Sequence, residues 1–163
     1  MSLQDILIAI GSSWLGHITR DVKWVFPTLE TIHFFGLSML YGALLVVDVR
    51  LMGLFREIPL QRAMAFTRLA ILGFVLNILS GIGFFTADPL MYWPNPAFRL
   101  KMALVVLAGL NVIWFEAALR PRLADLAPDA DTDHRTKLAG GLSLALWTVI
   151  LLLGRLLPQF ETY

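Results

Sequence analysis

The sequence contains no cysteine. That excludes disulfides, thiolate-held iron–sulfur clusters and the covalent attachment of a c-type haem. Charge is scarce as well: Lys, Arg, Asp and Glu make up 15% of the 163 residues and leave a net charge of +1. No basic field marks a nucleic-acid partner. Histidine is limited to His17, His33 and His134. Any haem would be a non-covalent haem b, or one linked in some unusual way, with ligands drawn from these three, six methionines, carboxylates or backbone. Apolar surface, by contrast, is abundant. Hydrophobic residues make up 58% of the chain and the mean hydropathy is +0.72. A soluble core of this size cannot hide that much apolar surface, so the lipid bilayer is the expected partner.

The pattern predicts one all-α domain over 1–163, an integral membrane four-helix bundle with an N-terminal amphipathic interfacial helix. Residues 2–18 lack the positive n-region and small-residue cleavage site of a signal peptide. Leu3, Ile6, Leu7, Ile10, Trp14 and His17 recur on one helical face, which predicts a helix lying at the membrane surface. Spans are predicted at about 25–49, 67–87, 98–119 and 138–157, with Pro121 and Pro158 ending the last two. Crossing a bilayer takes roughly 20 apolar residues at about 1.5 Å each. The 50–68 and 120–137 loops hold eight of the thirteen basic residues. The positive-inside bias therefore puts both termini outside. With Trp and Tyr at the boundaries, this fits a multi-pass protein of a bacterial inner membrane with periplasmic termini.

Within the first span, Glu30, His33 and Asp48 interrupt an otherwise apolar run. Ionisable groups in a span are costly and usually face a bundle interior, a cofactor or an aqueous path. His33 lies about two turns inside, with Glu30 one turn before it and Gly36 one turn after. An imidazole beside a small residue in a spanning helix suits haem, and Glu30 could orient the ring or a propionate. Without a cofactor, His33 would be a buried imidazole bonded to a neighbouring helix. Glu30-x-x-His33 is also half of a di-iron carboxylate motif, but no second copy exists. His17 and Met102 are expected near the same boundary as possible sixth ligands. Arg20, Lys23, Arg99 and Lys101 ring it as propionate clamps or membrane anchors. His134 belongs to the opposite boundary, with Gly141 on its helical face as a place of close approach. Asp129, Asp131 and Asp133 lack the glycine and glutamate of a calcium loop, so a solvated acidic turn capping the last span is expected. Asn77 and Asn111 read as an interhelical amide pair, and Asp48 with Arg50 or Arg68 as a boundary ion pair.

Glu30-x-x-His33, Asp48-x-Arg50-Leu51 and Asn95-Pro96-x-Phe98-x-x-Lys101 together resemble a family of small bacterial inner-membrane proteins that lack an assigned function. The likeness spans nearly the whole chain. It implies four-helix, homotrimeric b-type dihaem cytochromes, with one or two haems per chain at His33, His17 and His134. Three histidines cannot make two bis-histidine haems in one chain. A second haem would use methionine, another ligand, a neighbouring chain or five-coordination. The expected function is electron transfer between a quinone pool and another carrier, with a quinol-linked oxidoreductase as one form of it. A non-haem small transporter, or a structural subunit of a membrane complex, is the rival reading.

Overall fold

The computed structural model describes residues 2–124 and 126–160. These form helices and connecting turns, with no strand among the described residues. In chain order the helices are α1 (Leu3–Gly11), α2 (Trp14–Asp21), α3 (Val25–Leu51), α4 (Leu60–Ala65), α5 (Thr67–Ala87) and α6 (Pro89–Tyr92). Next come α7 (Pro96–Trp114), a π-helical turn (Phe115–Leu119), α8 (Arg120–Leu123), α9 (His134–Leu156) and a closing 3₁₀ turn (Leu157–Phe160). Four stretches are long and apolar enough to cross a membrane: Val25–Leu51, Leu60–Ala87, Pro96–Leu123 and His134–Phe160. An even number of crossings returns the chain to the side where it started. That side, with α1, α2 and the 88–95 connection, is the terminal side. The side holding residues 52–59 and 126–133 is the loop side.

The N-terminal segment differs from the single helix expected over 2–18. Ser2 and Asp5 form a reciprocal capping box that starts α1. Ser12 then turns its hydroxyl back onto Ile8 O at 2.7 Å, and Ser13 caps α2 by accepting from Gly16 N at 3.2 Å. Two adjacent serines offer the backbone local partners in place of helical ones, so the helix breaks between them.

The third crossing also differs. Asn95 caps it, accepting from Ala97 N at 2.9 Å, with Pro96 in the first position where a missing N–H is harmless. It does not stop at Pro121 but continues to Leu123. Pro121 has no N–H to give to the carbonyl four residues back. The chain widens into a π turn just before it, where Arg120 N–H reaches Phe115 O, five residues away. The last span starts earlier than expected, at His134, because Asp133 accepts from Thr136 N at 2.9 Å and caps it there.

Helix α3 is the central element, packed along both α5 and α9, and α7 packs along α9. The α3–α5 crossing depends on two facing glycines. A Cβ on Gly73 would lie 2.5 Å from Gly36 O, and one on Gly36 would lie 2.9 Å from Gly73 O. Backbones this close leave no room for a side chain on either helix. Gly140 does the same for α9, where a Cβ would lie 2.9 Å from Asp48 O. Leu40, Ala43 and Leu44 then meet Ala70, Ala108, Trp147 and Ile150 in the middle of the molecule. A second cluster joins Val47, Leu51, Leu60, Phe115 and Leu119 towards the loop side.

Arg50 closes the loop side. Its side chain is fully buried, at 0% exposure. Nε donates to Ile58 O at 2.8 Å, and Nη2 donates to Pro128 O at 3.1 Å and Ala130 O at 3.0 Å. One guanidinium thus ties both loops to the end of α3. The expected Asp48–Arg50 ion pair does not form, because residues two apart on a helix point to different faces. The expected Asn77–Asn111 pair does not form either. Asn77 donates to Gly73 O in its own helix at 3.0 Å, and Asn111 donates across to Ala139 O on α9 at 3.0 Å. The acidic turn is solvated as expected, and Asp131 pairs with Arg56 at 2.6 Å and Lys137 at 2.8 Å. The hydrogen bond from Lys137 holds the Asp131 carboxyl below its ordinary value.

Candidate functional site

His33 lies on the α5-facing side of α3, partly buried, with its ring 5.3 Å from that of Phe84. Phe84 in turn packs on Phe26 at 5.2 Å. The polar contact of the imidazole is more informative. His33 Nδ1 is 2.8 Å from Ser80 Oγ. Ser80 is itself buried, at 1% exposure, and its Oγ is 2.6 Å from Leu76 O and 3.3 Å from Asn77 O.

A hydroxyl has one hydrogen to give. Carbonyl oxygens can only accept, and the shortest of the three contacts is to Leu76 O. The Ser80 hydrogen therefore goes to that carbonyl, and Ser80 Oγ accepts from His33. This assigns the proton to Nδ1 from the hydrogen-bond network and leaves the lone pair on Nε2. A neutral imidazole held through one nitrogen, with the other free, is the form that binds a metal. Ser80 was missed in the sequence, although a signal existed. His33 is eight residues from the start of α3 and Ser80 seven from the end of α5, so in antiparallel helices they share a depth.

The other candidate residues divide by position. Lys101 on α7 turns inward, with Nζ 3.3 Å from where a Cβ of Gly154 would stand, so that glycine on α9 makes room for it. Glu30, Arg99, Lys23 and Met102 are exposed on the terminal half of the chain. Lys23 lies over the Trp24 ring at 5.4 Å, and Met102 is 39% exposed on α7. His17 is exposed, because α2 buries Gly16 and Thr19 instead. Its Nδ1 pairs with Asp21 at 3.1 Å, and that bond holds the Asp21 carboxyl below its ordinary value. Arg20 donates to Ala87 O at 3.0 Å, fastening α2 to the end of α5.

Gly36 was expected to make room beside a cofactor. It is buried against Asn77 and Gly73 instead, and serves the helix crossing. His134 is exposed at the first position of α9, on the loop side. A Cβ on Gly141 would meet only Met52 Cε at 4.0 Å, so the close approach in the glycine pair belongs to Gly140. The structure thus gathers His33, Ser80, Phe84 and Lys101 in the terminal half and leaves His17 and His134 at the two surfaces. Among the described residues, no three His, Cys, Asp or Glu side chains converge as a metal cluster. Haem needs no such cluster, since one or two axial ligands suffice, so its fit here rests on His33. Comparison of the chain with family models, with curated proteins and with solved structures returns no match.

Proposed function

We propose that this chain is a membrane-bound b-type cytochrome in which His33 Nε2 is an axial ligand of haem. One observation carries the reading: Ser80 Oγ lies 2.8 Å from Nδ1 of the partly buried His33 and 2.6 Å from Leu76 O, a geometry that supports a proton on Nδ1 and a lone pair on Nε2. The haem would supply one-electron redox chemistry, and the chain would hold it, orient it and keep it dry. Ser80 sets the ring orientation and raises the basicity of the ligand. Phe84 and Phe26 supply apolar cover. Lys101, with Arg99, Arg20 and Lys23 towards the surface, offers cations to propionates.

The remaining parts of the proposal follow from this one. A sixth ligand, if used, comes from His17, from Met102 after rotation of its side chain, or from another copy of the chain. Glu30, Phe34 and Phe35 are exposed on α3, and a carboxylate facing lipid is costly, which favours a homo-oligomer. The family resemblance favours a trimer. Electrons would pass between a quinone pool and another carrier in a bacterial inner membrane, with α1 and α2 resting at the periplasmic interface.

The experiment is a reduced-minus-oxidised spectrum and a pyridine haemochrome assay on protein purified in mild detergent from haem-replete cells. The expected result is a coloured preparation with b-type bands and at least one haem per chain. A colourless preparation ends the cytochrome reading and leaves the rival, a non-haem transporter or structural subunit. Native mass spectrometry of the same sample checks the assembly, where a monomer contradicts the homo-oligomer. A C-terminal reporter active in the cytoplasm contradicts the orientation.

A further inference from the structure

On the loop side, away from His33, α3, α5, α7 and α9 line a partly open cavity of about 50 Å³. Oxygen atoms dominate its polar lining. Asp48, Thr67, Asn111, Glu116 and Ser143 all face it. Asp48 Oδ2, Thr67 Oγ1 and Asn111 Oδ1 are buried and have no hydrogen-bond partner within the protein. Asp48 is 3% exposed and Asn111 7% exposed. Leaving such groups unpaired costs about 1–3 kcal/mol each, and more for a charged one, so their convergence on one small space calls for a ligand.

The identity of the atoms restricts that ligand. The Asn111 amide nitrogen is committed to Ala139 O at 3.0 Å, which turns Oδ1 towards the cavity. Asp48 Oδ2 is likewise an acceptor. Two acceptors and a hydroxyl, with a second hydroxyl from Ser143, suit a positive ion with hard oxygen ligands. Charge narrows the choice further. Glu116 is already neutralised by Arg120 at 2.6 Å, which leaves Asp48 as the single uncompensated carboxylate. One negative charge balances a monovalent cation, whereas calcium or magnesium sites use more carboxylate. A cavity of this size has room for a cation together with water.

The wall of the cavity is unusual as well. Phe115 and Glu116 belong to the π turn, and such turns recur at functional sites because they re-aim side chains within a helix. Here the wider turn directs a carboxylate and a ring to the same space from consecutive positions.

We propose that this cavity is a binding site for a sodium-sized monovalent cation, liganded by Asp48, Asn111, Thr67 and Ser143. A proton on Asp48 is the competing occupant, since the two hydroxyls can donate as well as accept; a cation engages the oxygens as acceptors together. The site is separate from the proposed haem site and does not depend on it.

The test uses the full-length protein in detergent, with intrinsic tryptophan fluorescence followed on heating. NaCl is titrated against choline chloride at constant ionic strength and pH, and bound sodium is measured with radioactive ²²Na⁺. The expected result is a saturable rise in Tm with sodium that choline does not reproduce. Asp48→Asn should abolish the rise. Thr67→Val keeps the side-chain shape and should weaken apparent sodium affinity by about tenfold, the loss of one good ligand. It decides the question even if Asp48→Asn fails to fold. Coincident sodium and choline curves overturn the proposal and assign the cavity to water. A Tm that follows pH alone overturns it and assigns the site to a proton. Unchanged sodium affinity in Thr67→Val removes Thr67 from the site and overturns the ligand set.

Discussion

His33→Ala should abolish the proposed haem of the terminal half, with haem per chain falling to zero or to what a second site retains. The side chain lies within the first span, and no other histidine lies on α3 to replace it. Ser80→Ala tests the finer point. It removes the acceptor for Nδ1–H while leaving the ligand in place, so haem should still bind. Loss of an outer hydrogen-bond partner typically costs about 10–100-fold in affinity and shifts the potential of the bound group. His134→Ala should leave the same haem untouched, since about 30 Å of bilayer core separates the two sides. His17→Ala should change the spectrum only if His17 leaves Asp21 to serve as sixth ligand. The measurement is haem stoichiometry, spectrum and midpoint potential for the four variants. A wild-type spectrum and full haem content in His33→Ala would show that His33 is a packing or proton-relay residue.

The second large effect is expected at Arg50. Arg50→Met keeps most of the volume and removes three charge-assisted donations to the carbonyls of Ile58, Pro128 and Ala130. A hydrogen bond to a charged group is worth about 1.5–3 kcal/mol, and less where water can replace it. Against this, Arg50 Nη1 has no partner of its own, so removing the guanidinium also relieves one penalty. Three losses against one gain leave a net destabilisation of about 3 kcal/mol. For a chain of this length that lowers Tm by about 6–12 °C. Thermal unfolding of the purified variant checks it, and limited proteolysis should show earlier cutting in the 124–133 loop. A Tm within about 2 °C of the parent protein would mean that the loops hold their places without Arg50.

These outcomes bear on what the sequence made legible. The four spans are visible because length and hydropathy are properties of composition, which no neighbour can alter. The cap of the last span is visible as Thr132 or Asp133, because such side chains reach the backbone without help from the rest of the fold, and Asp133 is the one that serves. What escaped depends on rotation about the helix axes. The spans are apolar nearly all round, so periodicity does not say which face meets which helix. Asn77 and Asn111 therefore read as partners, although one turns back on its own helix and the other turns to α9. For the same reason Gly36 passed for a cofactor neighbour when it is half of a helix crossing. Pro121 misled in a different way. A proline is a stop signal only if the helix keeps its ordinary turn, and here the turn widens to carry the chain past it.

The Gly36–Gly73 contact would matter for the rate of the proposed electron transfer. It lies three residues from His33 on one helix and seven from Ser80 on the other, and it leaves neither backbone space to slide. The imidazole and the hydroxyl that orients it therefore belong to one stiff unit. Were His33 to hold haem as proposed, this framework would have little to move when the charge on the group changed. A dipole already in place need not be turned at the moment of charge transfer, and a small reorganisation energy is what fast electron exchange requires.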